Sequence, residues 1–480
     1  MQPIPDNIFI IASCNPHRGN SLAARGAKTH YYVRQLHPTL HLLKWDYGSL
    51  NELQEEEYIK EKLVLLKKSE QHMVQSMTDN QAACLTKLIS WNQVVIREYA
   101  TEEMKRHLVD EGEAKLRAKS CVSQRDIQRV FTLFEWILKL YEYSRLKSCS
   151  PDECWYRAVL VASGIVYYLR LNSYNRQKYK DKLDVLARGY GSPITFTEAF
   201  QSEMDWMIES VDLPKGIAKT LALKENLFAV IICCVTKTPL IIEGAPGCSK
   251  TLSFHVAVSN LKGKVSEKHI FQRTSVFPSL APCFYQCSRS TTSNEIRSVF
   301  HRAISRDQTN AKTSSEETSE CSVVFMDEAG LPEEELKVLH HFLDTPEVSF
   351  VAITNSPLDV AKTNRALSVY RPETNDNDLE TLAAERLSHD HEHKYDIKGI
   401  CNAYRCLMKM QEDQHEQFFG LRDFMYFLIH IRRHNESSAQ AILNALERNF
   451  NGKKPEQFKQ LSEEFLMKVG SVVVASLKGQ

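Results

Sequence analysis

Residues 244–251 read GAPGCSKT. The stretch departs at one position from the phosphate-binding loop G-x-x-x-x-G-K-[ST], because Ser249 stands where that loop has its second fixed glycine. The apolar run PLIIE precedes it and the helical SKTLSFHVAVSNL follows it, so the strand–loop–helix context of a working loop is present. The alternative is a site that has lost its function, since glycine fits where backbone lies against phosphate.

Small and turn-forming residues in this loop allow backbone N–H groups to surround an anion, and the following helix adds its positive N-terminal end. Lys250 supplies a point charge for the β- and γ-phosphates, and Thr251 supplies a hydroxyl for Mg²⁺. Serine at 249 can adopt the backbone angles of the turn into the helix. The predicted ligands are ATP and Mg²⁺, and the predicted binding residues are Gly244, Ala245, Pro246, Gly247, Cys248, Ser249, Lys250 and Thr251.

A second apolar strand, VVFMDEA at 323–329, ends in two acids. ATP hydrolysis needs one carboxylate at a strand end to hold Mg²⁺, a role that suits Asp327, and another to polarise the attacking water, which suits Glu328. Strands often end in acidic residues, so this pattern alone is weak evidence. It becomes informative because the same chain contains the loop. Asn355 ends the next strand, VSFVAITN, where it either positions the water or is an ordinary turn residue.

Composition excludes several classes of protein. The 60 basic residues balance the 60 acidic ones, whereas nucleic-acid-binding proteins normally carry a basic surplus. No apolar run reaches the ~18–20 residues of a membrane span, and the N-terminus lacks the features of a signal peptide. The 13 cysteines form no C-x-x-C pair, which is typical of reduced thiols. We expect a cytoplasmic protein with no membrane span and no nucleic-acid partner.

The chain divides into four regions that differ in their pattern of apolar and polar residues. Residues 1–50 look α/β and include a strand-like run at 8–13, and residues 51–212 have helical periodicity. Residues 213–375 alternate strands and helices, which predicts a parallel sheet covered on both faces. Residues 376–480 are helical again. Within the third region, the polar stretch 307–320 is predicted to be a flexible loop.

The two halves of the chain also share an order of sequence features. A strand ending in asparagine occurs at Asn15 and again at Asn355, and each is later followed by a helix with an Arg-Asp pair, at Arg125 and Arg422. Strand-then-helix order recurs by chance in α/β chains, but the shared order of unusual features favours an internal repeat.

The loop, the Asp327-Glu328 strand, AITN at 352–355 and GLRD at 420–423 together resemble one module of the AAA+ ATPases. The resemblance implies an α/β fold: a P-loop core of parallel strands flanked by helices, then a helical lid, with a partial and mostly helical module in front. It makes the loop Walker A, Asp327-Glu328 Walker B and Asn355 sensor 1. It also implies catalytic roles for Arg365 as arginine finger and for Arg422 as sensor 2.

One family within this class is a closer match. PLIIEGAPGCSKT, QCSRSTTSNEI and MDEAGLPEEELKVLHHFLD resemble the third AAA+ module of the mysterin family, giant ubiquitin ligases with a RING finger. IIASCNPHRGN and VSQRDIQRVF resemble the later part of the second module. A serine before the P-loop lysine is typical of that family. The resemblance implies neighbouring AAA+ modules and the ubiquitination machinery as partners, and ligase activity for the parent protein.

The sequence lacks some of the features that the family has. It has no RING-type zinc-ligand cluster, and residues 1–212 contain no P-loop, so the chain is expected to be a fragment. Arginine fingers in this class act on the neighbouring module, which implies that Arg365 serves the preceding one and that the chain alone hydrolyses ATP slowly. A nucleotide-binding scaffold and a different AAA+ remodelling ATPase remain as alternatives. The His389–His393 run is interpreted as a solvated linker.

Overall fold

The described residues of the computed structural model are 50–68, 72–105, 121–142, 149–313, 320–332, 335–356, 358, 360–372, 374–387, 396–413, 419–434, 439–450, 458–459, 462–463 and 465–466. The strand predicted at 8–13 and the His389–His393 run lie outside these residues. No helix in the described part of the chain is both long and apolar enough to cross a lipid bilayer.

Before the first strand, the described chain is helical. Its helices are α1 (Glu52–Leu66), α2 (His72–Gln75), α3 (Asp79–Lys105), α4 (Gln124–Leu140), α5 (Pro151–Ser163), α6 (Ser173–Gly189), α7 (Phe196–Glu209) and α8 (Leu221–Val235). Capping boxes fix where three of them begin, with Asn51 and Gln54 at α1, Ser123 and Asp126 at α4, and Thr195 and Glu198 at α7. These caps explain why the helical periodicity of the sequence translates into helices with defined starts.

Helix α5 runs into a π-helical turn, Gly164–Tyr168. Gly164 lies against the aromatic rings of α7, and a Cβ added there would stand 2.4 Å from a ring carbon of Phe200. A side chain at this position would therefore push α7 away, so the close approach of the two helices requires glycine.

In the part of the chain that the structure describes, five strands form one parallel sheet, as the sequence predicted. The strands are β1 (Leu240–Gly244), β2 (Ser279–Gln286), β3 (Glu320–Asp327), β4 (Ser349–Thr354) and β5 (Leu367–Arg371). Their order is β2-β3-β4-β1-β5, so that β1 pairs with β4 on one side and with β5 on the other. The inner strands are continuous apolar runs because helices cover both faces of the sheet.

The helices between and after the strands complete the fold. They are α9 (Lys250–Asn260), α10 (Ser293–Thr313), α11 (Leu339–Asp344), α12 (Val360–Thr363), α13 (Asp376–Leu387), α14 (Ile397–Asp413), α15 (Leu421–His434) and α16 (Ala439–Phe450). Short 3₁₀ turns lie at Gly263–Val265, His269–Gln272 and Glu335–Val338.

The loop predicted at 307–320 is wrong for its first half, because α10 continues to Thr313. Asp307 lies in the part of α10 that was predicted to be a loop, and it accepts a hydrogen bond from the backbone N–H of Ser322 at 2.9 Å. This bond ties the helix to the start of β3. A tertiary contact of this kind outweighs the polar composition from which the loop was predicted.

Three hydrophobic clusters hold these elements. One is shared by the helices before β1 and one face of the sheet, and it includes Phe134, Trp155, Phe228, Ile242 and Val369. A second lies between the opposite face of the sheet and helices α10 and α11. The third belongs to α13–α16. The helices before residue 212 therefore share one hydrophobic core with α8 and the sheet.

Candidate nucleotide-binding site

The GAPGCSKT loop connects the end of β1 to Lys250, the first residue of α9, at the edge of the sheet where the parallel strands end. Gly247 has a φ of +94°, and Ser249 has a φ of +57° with a ψ of +23°. Both residues are in conformations that favour glycine. The loop therefore turns tightly at these two positions, and serine at 249 takes a conformation that favours glycine.

Replacing Ser249 with glycine should raise the free energy of unfolding by about 0.5–1 kcal/mol. The left-handed conformation costs a non-glycine residue about 1–2 kcal/mol, and the greater freedom of glycine in the unfolded chain offsets part of that gain. Chemical denaturation of both proteins measures the difference. Ser259→Gly is the matched control, because Ser259 lies inside α9 and glycine there should lower stability. A Ser249→Gly protein less stable than the parent would contradict the expectation.

The Lys250 side chain is buried and points back into the loop. Its Nζ donates hydrogen bonds to the carbonyl oxygens of Gly244 (2.5 Å) and Ala245 (2.9 Å), and to Oδ1 of Asn355 at 2.9 Å. Burial lowers the pKa of Lys250 below its ordinary value, while Cys248, Glu328 and Asp327 act in the opposite direction. The ammonium group thus lies where the loop, β3 and β4 meet.

Asn355 connects the lysine to the acidic strand end. Its Nδ2 donates to both carboxylate oxygens of Glu328, at 2.8 and 2.9 Å. The backbone of Glu328 has a φ of +52°, and its N–H donates to Oδ1 of Asp327 at 2.8 Å. Strands β1, β4 and β3 are neighbours, so their ends bring Lys250, Asn355 and Glu328 into one connected set, called here the polar chain.

The predicted magnesium residues lie at the same edge of the sheet. Thr251 is the second residue of α9, and Asp327 is the last residue of β3; both are half-buried. No hydrogen bond joins these two side chains.

The start of α15 covers the loop from the other side. Leu421 packs on Gly247, where an added Cβ would lie 3.2 Å from the Leu421 Cβ. Arg422, the next residue, is exposed, and its charge acts on the ammonium group of Lys250. The structure thus places Arg422 beside the loop, and its role as sensor 2 stays a prediction.

Arg365 lies elsewhere. It precedes β5, at the edge where the parallel strands begin, whereas the P-loop follows β1 at the opposite edge. Its Nε is 3.2 Å from the carboxylate of Asp344, which also pairs with Arg125 of α4 at 3.0 Å. The neighbouring Asn364 carbonyl accepts a hydrogen bond from Arg129 at 3.0 Å. Arg365 is therefore placed against the N-terminal helical region and not in the polar chain.

Sequence reasoning missed two residues that support the loop. Asn226 of α8 is fully buried and donates from Nδ2 to the carbonyl oxygen of Cys248 at 2.9 Å. Arg371, the last residue of β5, stands opposite Gly244 in the sheet register. The signal for Asn226 was the polar triplet Lys-Glu-Asn inside an otherwise apolar helix, since a buried polar side chain implies a specific partner.

Comparison with known proteins agrees with this geometry. A family profile described as "RNF213 AAA domain" matches residues 216–378. The chain is 28% identical to "E3 ubiquitin-protein ligase RNF213" of Homo sapiens, over 94% of this chain and 9% of that protein. It is 27% identical to "E3 ubiquitin-protein ligase rnf213-beta" of Danio rerio, over 93% of this chain and 9% of that protein. The chain thus spans about a tenth of the length of these relatives.

Among solved structures, the Trip13 protein of Rhizobiales matches with 15% identity and a TM-score of 0.25, covering 48% of this chain and 73% of that one. The fold is identified by features of this chain itself. They are the parallel order β2-β3-β4-β1-β5, the loop after β1, and the Asp327-Glu328 and Asn355 strand ends. Together with the profile match to residues 216–378, they show an AAA+ fold that is similar to the AAA domain of the RNF213 proteins.

Proposed function

We propose that this chain binds Mg-ATP in the GAPGCSKT loop and hydrolyses it, as the ATPase segment of a mysterin-like ubiquitin ligase. The polar chain is the observation that carries the proposal. A buried cation from the loop, an amide and a carboxylate meet at the ends of three adjacent strands, with hydrogen bonds of 2.8–2.9 Å. These are the charges that phosphoryl transfer to water requires, held at the end of a phosphate-binding loop.

Each residue of the polar chain has a task in that reaction. Lys250 neutralises negative charge on the phosphates. Glu328 accepts a proton from the attacking water, and Asn355 holds the water and the carboxylate in position. Arg422, at the start of α15, adds positive charge above the loop.

The residues predicted for Mg²⁺ suit that ion. A threonine hydroxyl at 251 and a carboxylate at 327 are hard oxygen donors, the type Mg²⁺ prefers. When bound, the ion would neutralise phosphate charge. Asp327 accepts the Glu328 N–H with one oxygen, and its carboxylate would hold the ion directly or through water.

Arg365 belongs in this proposal to a different nucleotide site. It lies at the strand-start edge of the sheet beside Arg125, far from its own P-loop. We therefore propose that residues 51–212 are the lid of a preceding module, 213–375 the P-loop core and 376–480 its lid, with Arg365 acting on the preceding module. Partners are then neighbouring AAA+ modules and the ubiquitination machinery, in the cytoplasm.

A direct test is calorimetric titration of the chain with Mg-ATP, together with its turnover. We expect binding with slow hydrolysis, since an arginine finger contributes roughly 10³–10⁵-fold to the rate in related phosphoryl-transfer enzymes. Arg365→Ala should leave both values unchanged, because that arginine serves another site. Failure to bind Mg-ATP would refute the proposal, and fast turnover abolished by Arg365→Ala would refute the assignment of the finger.

A further inference from the structure

Three buried charged side chains form a cluster beside the nucleotide loop. Arg176 of α6 donates from Nη1 to both oxygens of Glu225 in α8, at 3.2 and 3.0 Å. Arg371, at the end of β5, donates to the same carboxylate. Relative exposure is 8% for Arg176, 1% for Glu225 and 3% for Arg371. The cluster joins the N-terminal helical region, the helix before β1 and the last strand of the sheet.

The cluster holds two cations and one anion, and the two cations decide the direction in which the pKa of the carboxyl group moves. Burial alone would raise the pKa of Glu225, but the Arg371 and Arg176 guanidinium groups lower it below its ordinary value. A buried arginine–glutamate–arginine set contributes little net stability relative to well-packed apolar side chains, because desolvation offsets much of the attraction. What such a set does supply is fixed geometry, since planar guanidinium groups bind a carboxylate in defined directions.

On one side, Arg176 holds the segment that follows the π-helical turn. Its Nε donates to the carbonyl oxygen of Leu171 at 2.9 Å, and its Nη2 lies 3.4 Å from the Leu169 carbonyl and 3.3 Å from the Tyr370 carbonyl. The Leu169 carbonyl also accepts the backbone N–H of Tyr370 at 3.0 Å. The helical region is thereby bonded to the free edge of β5 next to Arg371.

On the other side, the cluster reaches the loop by two routes. Asn226 follows Glu225 in α8 and bonds the Cys248 carbonyl, so the position of Glu225 sets the middle of the loop. Arg371 stands opposite Gly244, where an added Cβ would be 2.5 Å from the Arg371 Cβ. A shift of β5 would therefore displace the start of the loop, and a shift of α8 would displace its middle.

We propose that Arg176 is a positioning residue for the nucleotide site, by which the preceding helical region sets the shape of the P-loop through Glu225, Arg371 and Asn226. The inference rests on the proposed binding of Mg-ATP. Removing the arginine leaves the P-loop sequence untouched but breaks the side-chain bonds that run from the helical region to Glu225 of α8 and to the Tyr370 carbonyl of β5. By reciprocity, nucleotide in the loop tightens the attachment of α6 to the sheet.

The test compares Arg176→Gln with a matched control, Arg157→Gln. Arg157 lies in the same helical region, is similarly buried, and pairs with Glu153 at 2.9 Å and with Glu203 at 3.7 Å, without a bond to α8 or the sheet. Both variants are titrated with Mg-ATP by calorimetry at a temperature below their thermal transitions. We expect roughly tenfold weaker binding for Arg176→Gln, an unchanged value for Arg157→Gln, and partial recovery with Arg176→Lys.

Hydrogen exchange on the unmodified chain gives a second measurement that needs no variant. Mg-ATP should slow the exchange of amides in 169–180 and leave those in 151–163 unchanged. Equal affinity in Arg176→Gln and the parent, equal weakening in both arginine variants, or unaltered exchange at 169–180 would overturn the inference. The parent and Lys250→Ala are titrated first. If the parent does not bind Mg-ATP, the proposed function itself is wrong. If Lys250→Ala loses binding while Arg176→Gln keeps it, only the positioning role is wrong.

Discussion

Replacing Lys250 with alanine should weaken Mg-ATP binding by about a hundredfold or more while the protein stays folded. Hydrogen bonds from a charged donor contribute about 1.5–3 kcal/mol each, and Lys250 is the cation that the loop itself brings to the phosphates. The ammonium group is buried and therefore partly stripped of water before ligand arrives, which also lowers its pKa. An anion at that position gains more from the charge than it would at the protein surface.

The fold should tolerate this change. The two carbonyl oxygens that Lys250 contacts belong to Gly244 and Ala245, and Ala245 is exposed, so water can take over at least one of the lost bonds. Thermal unfolding checks that the variant is folded at the temperature of titration. Lys262→Ala is the matched control, because Lys262 is exposed just beyond the other end of α9. Equal affinity in Lys250→Ala and the parent would show that this loop is not the nucleotide site.

The sequence predicted the elements of the fold better than their arrangement. The five strands were visible because strands buried on both faces are unbroken apolar runs, as in Leu240–Gly244 and Ser349–Thr354. Their order was not visible, since neighbours in a parallel sheet are distant in the chain. The shared core of the N-terminal helices, α8 and the sheet could likewise not be predicted from local periodicity.

The candidate site shows the same division. Lys250, Asn355 and Glu328 were found from strand ends and a loop motif, and the structure joins them by hydrogen bonds. Asn226 and Arg371 were missed because their partners, the Cys248 carbonyl and Glu225, depend on tertiary packing. The left-handed backbone of Ser249 was missed as well, since a single residue type does not reveal its φ. Roles assigned to these side chains stay predictions until binding and turnover are measured.

Replacing Glu328 with glutamine should leave Mg-ATP binding nearly unchanged and slow hydrolysis by about 10²–10⁴-fold. Glutamine has the same shape and keeps one oxygen that accepts from Asn355, so the polar chain loses one of its two bonds to this side chain. What disappears is the carboxylate that takes a proton from the attacking water. A scaffold that binds nucleotide without using it would show no such separation of binding from turnover.

Because the chain alone should turn over slowly, the Glu328→Gln measurement is made under single-turnover conditions, with protein in excess over labelled ATP. Glu347→Gln is the matched control: Glu347 precedes β4 at the edge opposite the site, while Asn355 follows the same strand at the other end. Loss of hydrolysis in Glu328→Gln with parent-like binding would identify Glu328 as the base. Parent-like hydrolysis in that variant would remove Glu328 from the mechanism, and the nearby carboxylate of Asp327 would then be the group to replace. Weakened binding would instead show that the Glu328 charge helps to hold Asn355 and Lys250 in place, because those two side chains are joined to it in the polar chain.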